Sequence, residues 1–228
     1  MKERSQADGF TWQGSDGPES LCAERVDAWR LSLPEPFNAS QRDLCRLYLR
    51  TLLGRYLGMA PEAVRIVTGI FGKPCLDRKV HTQDIQFNVS HSGSIALIVL
   101  ATGRQVGIDV QQREPLADVE DFSARFLSPR EHESLMSLPA DERNQAFLVL
   151  WVRKEAAIKA LGKSITRHAR VEVVPADFGG SLEIRDLPID AGYSAAICYE
   201  YPPAEIRLWT AVQGSAGGGV PAAERCRE

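Results

Sequence analysis

The stretch IQFNVSHSGSIALIVLATGRQVGIDVQQ, residues 85–112, contains three runs with strand character, separated by the turn signals HSG and TGR. IQFNVS alternates apolar and polar residues, SIALIVLA is continuously apolar, and QVGIDVQ alternates again. The pattern predicts an antiparallel meander. In the third run Val106, Ile108 and Val110 share one face, while Gly107, Asp109 and Gln111 share the other. A carboxylate set between a missing side chain and a neutral amide suits a place where something docks. A surface aspartate on an edge strand gives the same pattern.

Upstream, SQRDLCRLYLRTLLGRYLG (residues 40–58) predicts a helix with Ser40 as N-cap, Asp43 three residues on, and a stop at Gly58. Arg42, Arg46 and Arg50 recur on it every four residues, as either a solvated face or a stripe that meets an anion. Downstream, Ser128 and Pro129 open a short helix, and a long one runs from about Asp141 to Leu161, stopped by Gly162. Strand candidates follow at RVEVV, SLEIRD, YSAAICY and EIRLWTAV. Helix then meander thus occurs twice. The expected fold class is α+β, with an N-terminal half at 21–112, a C-terminal half at 113–213, and a cleft where they meet. Residues 1–20 are rich in Ser, Gly, Asp and Gln, and 214–228 are small and polar; both are expected to be mobile tails.

The 228 residues, 44% hydrophobic and 25% charged, have ordinary globular composition, and a net charge of −3 gives no overall basic field for a nucleic acid. Five scattered cysteines without a C-x-x-C spacing indicate neither a disulfide framework nor a zinc site. The longest apolar run, Ile95 to Ala101, falls short of the ~20 residues of a membrane span, and no secretory h-region is present. A cytoplasmic protein with no nucleic-acid or membrane partner is expected.

Two further stretches carry chemistry. In LWVRKEAAIKALGK, Trp151, Glu155 and Lys159 fall at i, i+4 and i+8 along one helix face. This is a surface pair, or a partly buried carboxylate that has to be paired or hold a cation. FNVSHSG gathers Asn88, Ser90, His91 and Ser92 around a glycine, as a phosphate-holding turn or one stabilised by its own side chains. Upstream, Pro74 gives Lys73 of G-K-P a rigid backbone setting.

In order along residues 40–165, an arginine-bearing helix, G-K-P, N-x-S-H-S-G, G-I-D, F-x-S-x-x-E and W-x-x-K-E-A-x-x-K resemble the motifs of the Sfp-type 4′-phosphopantetheinyl transferases. The resemblance implies a 4′-phosphopantetheinyl transferase fold, two similar α+β halves in a pseudo-twofold arrangement with the site between them. It also implies Mg²⁺ held by Asp109 and Glu155 against the pyrophosphate of coenzyme A. Gln111 stands where many members have glutamate, so it is expected to reach the ion only weakly, through a water.

By the same resemblance Lys73, Pro74, Ser90 and His91 hold the phosphates and adenosine side of coenzyme A. Arg42 reaches the 3′-phosphate, with Arg46 as its rival, and Lys154 and Lys159 face the pyrophosphate. The implied reaction is attack by a serine hydroxyl of an apo acyl or peptidyl carrier protein on the β-phosphorus, releasing adenosine 3′,5′-bisphosphate. Glu155 and Glu131 are the candidate bases. The implied carrier dock is residues 113–130, with Arg125 and Arg130 as candidate contacts, and a monomer is expected. A Mg²⁺-dependent pyrophosphate hydrolase and a non-catalytic coenzyme A or carrier-binding module are the competing classes.

Overall fold

The computed structural model describes residues 13–14, 20–34, 39–69, 72–163 and 181–211. In chain order its elements are β1 (Gln13–Gly14), β2 (Arg25–Ser32), α1 (Ala39–Leu57), β3 (Ile66–Thr68), β4 (Pro74–Leu76), β5 (Ile85–Ser92), β6 (Ile95–Thr102) and β7 (Val106–Gln112). They continue with α2 (Val119–Phe126), α3 (Pro129–Met136), α4 (Ala140–Ala160), β8 (Leu182–Asp186), β9 (Tyr193–Glu200) and β10 (Glu205–Ala211). The fold is α+β. A five-stranded sheet has the order β1-β10-β2-β6-β5, and a three-stranded antiparallel sheet has the order β7-β9-β8.

Each layer follows from its side chains. The continuously apolar β6 is buried at every position but its last, and lies inside the larger sheet between β2 and β5. One face of that sheet takes α1, whose Cys45, Tyr48, Leu49, Leu52 and Leu53 pack on Trp29, Leu31, Phe87, Ile98 and Leu100. The opposite face, with Val26, Ala28, Leu97 and Val99, shares a core with Val106, Ile108, Val110, Ile197 and Tyr199 of the smaller sheet. On the smaller sheet's other face lies α4, brought close by the small residues Ala156, Ala157 and Ala160 against Ala196 and Cys198. Burial of this apolar surface, at roughly 25 cal/mol per Å², holds the layers together.

The three-stranded meander is only partly formed. β5 and β6 pair antiparallel from Ile85↔Thr102 to Ser92↔Ile95, but β7 leaves that sheet and pairs with β9, Asp109 opposite Ala196. Between β5 and β7 side chains replace the backbone ladder. The N–H groups of Ile108, Val110 and Gln112 donate to Asn88 Oδ1 (3.2 Å), Ser90 Oγ (3.4 Å) and Ser92 Oγ (2.9 Å), each pair twenty residues apart. The constant offset makes the two strands run parallel along the seam between the sheets.

The sheets do not divide at 112/113, since β7 belongs to the smaller sheet and β10 inserts into the larger one, parallel to β2. α1 begins at Ala39, two residues before the start that a Ser40 N-cap implies, so Ser40 lies inside its first turn, and Asp43 pairs with Arg46 at 3.0 Å. The strand expected at RVEVV and, apart from 13–14 and 20, the tails expected at 1–20 and 214–228 lie outside the described residues.

Candidate active site

Asp109 is 1% exposed at the seam, so its carboxylate has to be partnered. Oδ1 accepts from Ser90 Oγ at 2.6 Å and from Lys159 Nζ at 2.6 Å, while the Gln111 amide lies 3.4 Å from Oδ2. The approach of α4 depends on Gly107. A Cβ at that position would fall 2.0 Å from the Ala156 carbonyl oxygen and 2.4 Å from the Ala160 nitrogen. The bare face beside Asp109, expected to leave room for a ligand, is filled by helix backbone. The glycine serves to place α4, and with it Glu155 and Lys159, against the aspartate.

Glu155 and Lys159 lie one turn apart on α4, with Glu155 Oε2 4.0 Å from Lys159 Nζ. Two carboxylates from different elements therefore converge on one ammonium. Burial raises the Glu155 carboxyl above its usual range; Lys159 opposes this shift and the Asp109 charge adds to it. All the acidic and amide donors here are oxygen-bearing, which suits a hard divalent cation. Among the described residues no group of three or more His, Cys, Asp and Glu is placed to hold a metal.

Because successive strand residues face opposite ways, Ser90 turns to Asp109 while His91 turns to the other side of β5. There, with Arg42, Arg46, Gly72 and Pro74, His91 lines a cavity of about 510 Å³ beside α1. Burial depresses the His91 pKa; the charges of Lys159 and Arg42 act in the same direction, and the Asp109 charge opposes them. Arg46 pairs with Asp43, and Arg50 donates to the Val64 carbonyl. Arg42 is thus the stripe arginine that acts on His91.

A family model described as the 4′-phosphopantetheinyl transferase superfamily matches residues 105–211. The chain is 32% identical over 189 residues to the 4′-phosphopantetheinyl transferase HetI of Nostoc sp., covering 72% of this chain and 79% of that protein. The chain belongs to the 4′-phosphopantetheinyl transferase superfamily. It is also 27% identical to the transferase Sfp of Bacillus subtilis (68% of this chain, 71% of that one) and 29% identical to AcpT of Escherichia coli K12 (67% and 73%). As a phosphopantetheinyl transferase it uses coenzyme A as substrate and modifies carrier proteins.

Within the transferase, Asp109, Glu155, Lys159, Ser90 and Gln111 come together, and His91, Arg42 and Pro74 line the adjoining cavity. Lys154 does not face the site. It is fully buried, with Nζ 2.6 Å from Glu131 Oε2, because α4 turns this position toward α3. The Glu131 carboxylate also accepts from the Ser128 N–H at 2.8 Å in a capping box that starts α3. Glu131 is thus held between Lys154 and the start of α3. Lys73 does not line the cavity although Gly72 and Pro74 do. Asn88 and Ser92, which bridge the sheets, were not picked out as such from sequence. Their signal was the polar residue at every second position of β5.

Proposed function

We propose that this transferase forms its reaction centre around Asp109, Glu155 and Lys159, and that coenzyme A lies across the seam between the sheets. The convergence of the Asp109 and Glu155 carboxylates on the Lys159 ammonium carries this reading, because it marks a spot built to hold positive charge between two acids. Asp109 and Glu155 would hold Mg²⁺, with the Gln111 amide as a weaker neighbour. When bound, the ion supplies positive charge to the pyrophosphate.

His91 and the Arg42 guanidinium are suited to take the adenosine end and its 3′-phosphate in the cavity beside α1. Lys159 stands where charge grows on the departing adenosine 3′,5′-bisphosphate. Glu155 accepts the proton of the carrier serine as its oxygen attacks the β-phosphorus and the pyrophosphate bond breaks.

The carrier dock is assigned to residues 113–130, where Phe122 is exposed on α2 and Arg125 lies over the Phe126 ring. The segment carries Arg113, Arg125 and Arg130 beside Glu114, Asp118, Glu120 and Asp121, so its exposed Phe122 and its arginines, rather than its net charge, are what suit an acidic acyl or peptidyl carrier. Since Asp109 and Glu155 come from one chain, a monomer suffices. Free thiols at Cys45 and Cys198 suit the reducing cytoplasm.

The test is incubation with coenzyme A, Mg²⁺ and an apo carrier protein, followed by mass spectrometry of the carrier. A serine-linked phosphopantetheine is expected. Bisphosphate release without a modified carrier indicates a hydrolase, and neither product indicates a binding module. Glu155→Gln should lower the rate by about 10²-fold or more and Glu131→Gln by far less, as general-base catalysis contributes roughly 10²–10⁴-fold.

A further inference from the structure

Lys73 sits in the G-K-P turn between two residues that line the coenzyme A cavity, yet its side chain goes elsewhere. Nζ lies 3.2 Å from Gln105 Oε1, 3.2 Å from the Val106 carbonyl and 3.3 Å from the Ala160 carbonyl. An ammonium has three N–H donors, and these three oxygens engage all of them. A phosphate would have to displace them.

The three acceptors share a location. Val106 opens β7, three residues before Asp109, and Gln105 immediately precedes it. Ala160 ends α4, next to Lys159, and its carbonyl is one of the last four that a helix cannot satisfy by itself. A cation at that end also opposes the negative end of the helix dipole. The same last turn is pressed onto β7 at Gly107. Gly72 at φ 84° gives the chain the left-handed turn that precedes Lys73, and Pro74 fixes the backbone after it. Lys73 thus reaches from the turn before β4, which pairs with β3 in a separate two-stranded sheet, to both elements that carry the reaction centre.

We propose that Lys73 is a positioning residue and not a ligand of coenzyme A: it clamps the end of α4 to the start of β7 and so sets the spacing of Asp109 from Glu155 and Lys159. The inference rests on the transferase reading, and wild-type turnover of coenzyme A is the control that fails if that reading fails. A clamp and a ligand respond differently to the substrate. Losing the clamp slows turnover of any bound substrate alike, whereas losing a phosphate ligand weakens binding and narrows the preference for coenzyme A over a form without the 3′-phosphate.

Full-length wild type and Lys73→Met are compared in steady-state kinetics on coenzyme A and on 3′-dephospho-coenzyme A, with an apo carrier as acceptor. The expected result is a fall in kcat of about tenfold or more, the scale of a small misplacement of catalytic groups, by the same factor for both substrates and with KM for coenzyme A within about twofold of wild type. Lys73→Arg, which keeps the charge and donors, should recover part of kcat. His91→Ala is the contrast and should narrow the preference between the two substrates. A KM rise of about tenfold with kcat unchanged, a preference narrowed by Lys73→Met, or an unaltered kcat each overturns the proposal. Should Lys73→Met not fold, Lys73→Gln, which keeps two N–H donors without the charge, carries the same comparison with the same outcomes.

Discussion

Two consecutive residues, Ser90 and His91, show how strand geometry assigns chemistry. The sequence reading gave both to the substrate phosphates, because a serine and a histidine beside a glycine are plausible anion donors. The pleat separates them: Ser90 is buried and bonded to Asp109, and His91 faces the cavity beside α1. Ser90→Ala should therefore leave the KM for coenzyme A close to wild type. It should lower kcat/KM about tenfold or more, on the scale of a hydrogen bond to a charged group, ~1.5–3 kcal/mol. Steady-state kinetics decides this, and a larger effect on KM than on kcat would return Ser90 to the phosphates. The residue pattern alone left Asp109, Glu155 and Lys159 as either surface charges or a site; the resemblance of G-I-D and W-x-x-K-E-A-x-x-K joined them, and the structure brings the three side chains together. Lys154, which the resemblance set facing the pyrophosphate, is covered by α3 and paired with its Glu131, a contact that helical spacing alone cannot show.

Among elements, the contact between α4 and β7 sets the site, and Gly107 is the point of closest approach. Gly107→Ala puts a methyl group into the Ala156 and Ala160 backbone, which cannot swing aside as a flexible side chain would. The substitution should cost about 3 kcal/mol in denaturant unfolding, at the upper end of typical overpacking, and should abolish turnover because Glu155 and Lys159 move with the helix. Wild-type stability with wild-type turnover would show that α4 has slack that the packing does not suggest. The helices α1 and α4 and the strands β5, β6, β8, β9 and β10 were readable from periodicity to within a residue or two. β2 was not: its RVDAWRLS run places Asp27 among apolar residues, where Tyr56 donates to it at 2.6 Å from α1. That partner is twenty-nine residues away and invisible to local pattern. Nor did alternation reveal that β7 pairs with β9, since period two fixes which face a side chain takes and says nothing of the neighbouring strand.

At the scale of the molecule, the recurrence of helix then meander suggested two units meeting at a cleft, but the connectivity interleaves them. β10 lies in the larger sheet, β7 in the smaller, and one core contains side chains of both sheets. A chain ending at 112 leaves β2 without β10 and β7 without β9, while a chain starting at 113 retains β9 and β8 without the strand that carries Asp109. Each piece exposes half of the shared core. The intact protein should unfold in a single transition, and tryptophans report on the two regions independently: Trp29 stacks on Trp209 in the larger sheet, whereas Trp151 packs on Phe126 and Phe147 beside α2 and α4. Variants retaining only one of these groups should give coincident urea midpoints and slopes by fluorescence. Fragments 1–112 and 113–228 should each lack a cooperative melt. Two resolved midpoints, or a fragment with its own sigmoidal transition, would mean that the common core contributes less than the separate sheets, and that the reaction centre lies between bodies able to move apart.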